Sequence, residues 1–186
     1  FLDMEELGID VAPVIHNLNN GEIEAYLSHN TEYVAIGQCK GRRNPRKLFP
    51  VVYRLNNHGV KVHLFGITEF DLLAGCPAYS CDSKSWLDDA KTGVVRFWNP
   101  ERQEQNKTDV IYFPEYLGQK RDGTIPYYDY QYLDIFESPM KSRLGLSMDD
   151  FLGLNAGLSR ELANAVYYHD LSQIVTDIHI SEGIVL

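Results

Sequence analysis

The chain has 186 residues, 44% hydrophobic, 12% aromatic and 23% charged. These are the proportions of one globular domain, too rich in core formers for a disordered tail or a collagen-like fibre. No stretch approaches the ~20 apolar residues of a membrane-crossing helix, and a net charge of −9 from 17 basic and 26 acidic residues excludes a general electrostatic grip on polynucleotide backbones.

The chain opens on Phe1, and its first ten residues lack a basic segment followed by an apolar one. No signal peptide is therefore expected, and the sequence reads as a truncated or processed piece. Residues 11–15 form a short apolar run ending at His16, and after a turn cluster the segment 22–29 carries Ile23, Tyr26 and Leu27 at helical spacing. Residues 33–36 form the next buried run, closed by Gly37. A helix is predicted over 46–57, where Leu48, Val51, Val52 and Leu55 recur at i, i+3, i+4 and i+7; Pro45 suits its start, and Asn57, His58 and Gly59 its stop. Residues 60–65 read as a third strand, 69–74 as a short helix, and 78–81 as a fourth strand ending at Asp82.

Strands separated by single amphipathic helices imply parallel pairing, because the crossover helix must cover a face of the sheet. Four such units suit half of a (β/α)8 barrel and also a small doubly wound sheet, although no Gly-rich nucleotide-binding motif is present. The expected fold class is α/β: the second half of a (β/α)8 barrel over residues 1–86, a rim insertion of irregular and β structure over 87–146, and a helical segment over 147–186. In the insertion, turn signals at Asn99-Pro100, Arg121-Asp122-Gly123 and Ile125-Pro126 separate strand-like pieces at 94–98 and 110–113. The last segment opens with Ser147 and Asp150 spaced as a capping box, and helices are expected near 148–155, 159–169 and 171–180. Three cysteines, Cys39, Cys76 and Cys81, are an odd number without C-x-x-C spacing. This favours reduced thiols in a cytoplasmic setting over disulfides or a cysteine zinc site.

In a barrel of this kind the reactive groups sit at the carboxyl ends of the strands. Those positions hold His16, Gly37 with Gln38, His63 with Gly66, and Asp82. Just past a buried strand, Asp82 suits a nucleophile or base, and equally a turn cap bonding the amides of Ser83 to Ser85. His63 reads as a core histidine or a ligand. Lys40, Arg42, Arg43, Arg46 and Lys47 concentrate five of the 17 basic residues in one patch, either a solvated loop beside a helix start or a meeting place for an anion.

Lys61-Val62-His63-Leu64-Phe65-Gly66, then Asp71-Leu72-Leu73, then Tyr79-Ser80-Cys81-Asp82-Ser83-Lys84-Ser85-Trp86 resemble the second half of the tRNA-guanine transglycosylase superfamily. The likeness is nearest to divergent phage and bacterial relatives that handle 7-deazaguanine bases. It covers about residues 11–86, with Leu64 in place of one glycine of the family's K-[VI]-H-G-F-G strand. The resemblance implies an enzyme that exchanges a guanine of tRNA or DNA through a covalent glycosyl-enzyme intermediate, with Asp82 as nucleophile. His16, Gly37, Gln38, His63 and Gly66 would meet the base, and the basic patch would meet the polynucleotide backbone. No cofactor and no metal are implied. The family's zinc motif is absent, and His16 stands where the family has a base-reading glutamine. The first four strands, which carry further aspartates in the family, would come from a complementary N-terminal half-barrel chain or fragment, and a second copy of the chain is the other expected partner. Two rivals use the same positions: a metal-dependent amidohydrolase barrel, for which His16 and Asp82 fit two ligand positions but Gly37 replaces a third, and a non-catalytic half-barrel serving assembly.

Overall fold

The computed structural model describes residues 4, 7–9, 11–19, 21–37 and 39–184. The chain divides into two compact units, Phe1–Ser83 with Val175–Leu186, and Lys84–Ile174.

The first unit is built on a parallel four-stranded sheet whose spatial order is its chain order: β1 (Val14–Ile15), β2 (Tyr33–Ile36), β3 (Lys61–Leu64) and β4 (Ser80–Cys81). Helices α1 (Glu22–Ser28), α2 (Pro45–Asn57) and α3 (Phe70–Leu73) occupy the crossovers. The fold is therefore α/β with parallel strands, as the alternation of strand-like and helical periodicity requires. Helix α2 starts where it does because the Asn44 side chain accepts from the Arg46 N–H at 3.0 Å and Pro45 fills the first helical position. Its residues Leu48, Val51, Val52 and Leu55 are all buried. The outer strands are shorter than the sequence suggests. Pro13 has no N–H to give the ladder, although its carbonyl still accepts from Ala35 at 2.8 Å, and Ala78 remains in a turn, bonded to the Cys76 carbonyl at 2.7 Å.

Register divides the sheet into rows with opposite characters. Ile15, Ile36 and Leu64 pair in one row and are fully buried. The neighbouring row, Val14, Ala35, His63 and Ser80, points to the other face by the alternation of a strand, and only Ala35 in it is buried. Tyr33, Lys61 and Phe65 share that second face by the same alternation; Lys61 and Phe65 are exposed.

In the second unit β5 (Val94–Trp98) pairs antiparallel with β6 (Thr108–Tyr112), and β7 (Ile125–Pro126) lies parallel to β6. Residues 85–139 also hold two helices that the turn-rich composition hid, α4 (Ser85–Lys91) and α5 (Leu133–Pro139). Phe136 of α5 is fully buried and meets Phe97 edge-on at 5.5 Å, while Phe113 stacks on Phe151 at 5.3 Å. The expected helix at 148–155 is a single 3-10 turn, Met148–Phe151, with the Ser147 and Asp150 capping box in place, and it stops because Leu152 is extended. The two helices expected at 159–169 and 171–180 are one, α6 (Gly157–Ser181). No Pro or Gly interrupts it after its first residue, and Asp170 stays on its surface in a bidentate pair with Arg143, at 2.5 and 2.9 Å. Among the described residues no helix is long and apolar enough to cross a membrane.

Candidate functional site

The ends of β3 and β4 converge on Asp82. Ser80 of β4 pairs with His63 of β3, so Asp82, two residues past Ser80, emerges on the same face as His63. The His63 Nε2 atom lies 3.7 Å from Asp82 Oδ2, too far for a hydrogen bond but close enough for charge to act. The other ring nitrogen, Nδ1, is 2.9 Å from Ser80 Oγ, which lies 3.1 Å from the Tyr33 hydroxyl. An unprotonated Nε2 would turn its lone pair toward a carboxylate. Electrostatics therefore favour the tautomer with the proton on Nε2, Ser80 donating to Nδ1 and Tyr33 donating to Ser80. The imidazole packs edge-on against Phe65, with centroids 4.7 Å apart.

The other carboxylate oxygen is held from the loop after β3. The Gly66 N–H donates to Asp82 Oδ1 at 2.9 Å. Gly66 has φ +64°, the left-handed region in which a side chain is strained. The Gly66 carbonyl accepts from Arg43 Nη2 at 2.7 Å, and Arg43 Nη1 pairs with Glu69. The Asp82 side chain remains 57% exposed and that of His63 only 16%. A carboxylate with one oxygen fixed, the other beside an imidazole, and an open approach has the accessibility a nucleophile requires. Next to it, desolvation and then the Asp82 charge push the Cys81 thiol up, which keeps that sulfur protonated and a poor competitor at neutral pH.

Of the other expected site residues, Arg42 and Arg43 come to Gly66 beside Asp82, whereas His16 lies across the sheet. His16 ends β1, three strand spacings from β4, or roughly 14 Å of sheet; its N–H donates to Glu22 Oε2 at 2.7 Å, tying the turn to α1. Gly37 is buried, and a Cβ there would meet Val14 Cγ1 at 2.8 Å, so close strand packing already accounts for a glycine. Gln38 lies outside the described residues. Within the basic patch, Arg42 is half-buried, its Nη2 3.8 Å from where a Cβ on Gly66 would stand, and Arg43 is committed to Gly66 and Glu69. The Lys47 stem lies near Gly41, and Lys40, Arg43, Arg46 and Lys47 are all exposed.

Sequence reasoning missed Tyr33, Ser80 and Glu69. The signal for the first two was the period-2 alternation of β3, which sets Lys61 and His63 on the opposite face from Val62 and Leu64 and so marks the face on which strand neighbours meet His63. Glu69 reaches the site through tertiary contact, for which no local pattern exists. Among the described residues no three His, Cys, Asp or Glu side chains come together as a metal-ligand set. In comparison with known proteins, no family model, no curated protein and no solved structure matches this chain.

Proposed function

We propose that this chain is the strand-five-to-eight half of a (β/α)8 enzyme that exchanges a guanine of tRNA or DNA for a 7-deazaguanine-type base, with Asp82 as its nucleophile. The observation that carries the reading is the setting of Asp82: at the end of the fourth parallel strand, oriented by the Gly66 N–H, flanked by His63, and open to an incoming sugar. In this mechanism the free oxygen, Oδ2, bonds to C1′ as the glycosidic bond breaks, and its electron pair leaves on the base. The replacement base then attacks C1′ and releases the carboxylate, so that one difficult displacement becomes two easier ones.

A complementary half-barrel belongs to the same proposal, as does a cytoplasmic setting, bacterial or in a phage-infected host, where the three free cysteines stay reduced. Support for the complementary half comes from the sheet. Parallel sheets bury both faces, yet here one face carries exposed Lys61 and Phe65, and β1 and β4 are each paired on one side only among the described residues. That half would supply the acid that protonates the departing base.

The test is Asp82→Asn, which keeps the shape and removes the attacking charge. Base exchange by the assembled enzyme should fall about three orders of magnitude or more, with thermal unfolding nearly unchanged. Labelled nucleic acid should be trapped covalently under denaturing conditions by the wild type and not by the variant. Exchange within about tenfold of wild type would reduce Asp82 to a turn residue.

A further inference from the structure

Gly66 is held at both of its polar groups. Its N–H is taken by the carboxylate of Asp82, and its carbonyl by the guanidinium of Arg43. Arg43 reaches across from the loop before α2, and its second terminal nitrogen pairs with Glu69, just ahead of α3. The Glu69 carboxylate is steadied in turn by the Thr68 N–H at 3.2 Å. A planar guanidinium can hold a carbonyl and a carboxylate at once in a fixed fork, whereas an ammonium on a flexible stem cannot fix both in the same way. Neither solvent-exposed partner of this ion pair is worth much as stability, so its effect lies in geometry. With φ at +64° Gly66 sits in a region that most side chains strain to adopt and that glycine enters freely, and a glycine that must present its N–H in one direction needs an outside constraint.

We propose that Arg43 is a positioning residue for Asp82, acting through Gly66, and that it does not belong to the polynucleotide-binding patch in which its sequence position sets it. This rests on the reading of Asp82 as the nucleophile. It also divides neighbouring arginines by role: Arg43, though exposed, has its terminal nitrogens engaged by Gly66 and Glu69, and Arg42 remains for a phosphate.

Two measurements test it. In the full chain, labelled with 15N and 13C, Arg43→Ala should raise amide hydrogen exchange at Gly66 about tenfold and move both the Gly66 amide and the Asp82 carboxyl-carbon resonances. Arg43→Lys should fall between wild type and Ala, and Arg42→Ala should leave both resonances in place. Unmoved resonances in Arg43→Ala, or equal shifts in Arg42→Ala, would overturn the proposal. In the assembled enzyme, Arg43→Ala should lower kcat about tenfold with KM and the salt dependence of nucleic-acid binding unchanged, while Arg42→Ala flattens that salt dependence by about one phosphate contact. If Arg43→Ala instead flattens the salt dependence and spares kcat, Arg43 is a phosphate contact and the proposal fails. If the wild type exchanges no base, the reading of Asp82 falls by itself, and the resonance measurement still decides whether Arg43 governs Gly66 and the Asp82 carboxylate.

Discussion

At the scale of single residues, Gly66 and Tyr130 make opposite demands on their surroundings. Gly66 needs a backbone region that strains an alanine, so Gly66→Ala should cost about 1–2 kcal/mol in chemical denaturation. Tyr130 needs its proton. It is buried, and its hydroxyl donates to the buried Asp109 carboxylate at 2.6 Å, beside Arg102 and Asn99. Burial first, and then the carboxylate, push the phenol well above its ordinary range. An acid whose folded value is raised adds stability below its unfolded value, near pH 10 for a phenol, and that stability is lost as pH climbs beyond it. Denaturation midpoints should therefore fall above about pH 10, and Tyr130→Phe should remove part of that alkaline loss. An unchanged alkaline limb in the Phe variant would show that other groups govern it.

At the scale of elements, α2 joins sequence to site most directly: it buries one stripe on the sheet, and the loop that carries Arg43 leads into it. Asn44→Ala removes the accepting side chain at its start and should cost about 1 kcal/mol. Leu55→Ala opens a fully buried position and should cost about 2–5 kcal/mol. Urea unfolding of both variants checks the order; a cap loss as large as the core loss would mean that the helix end, more than its stripe, holds α2 in place. This helix was legible in the sequence because Leu48, Val51, Val52 and Leu55 repeat at its period and Asn44-Pro45 announces its start. The four strands and their parallel order were legible for a related reason, the regular return of short apolar runs. Helix α5 was not: its one buried anchor, Phe136, is held by aromatic neighbours distant in sequence. The contact of Arg43 with Gly66 was hidden for a similar reason, since charge density in a loop says nothing of which guanidinium finds Gly66.

At the scale of the molecule, a parallel sheet one of whose faces carries exposed Lys61 and Phe65 departs from the rule that helices or neighbouring structure cover both faces. Sedimentation of the purified chain should reveal self-association or capture of a half-barrel partner. A monodisperse species of 21.3 kDa over a wide concentration range would count against the complementary half.

The paired rows of the sheet have a consequence for fidelity. Side chains alternate with a period of two, so a slip of one residue between β2 and β3 would send Leu64 outward and draw His63 into the apolar layer where Ile15 and Ile36 sit. Such a frameshift in pairing is rejected by hydrophobicity long before any chemistry is attempted. His63, Ser80 and Asp82 thus reach one another as a by-product of proofreading: the oily row keeps the frame, and the polar row beside it is translated correctly each time the chain folds.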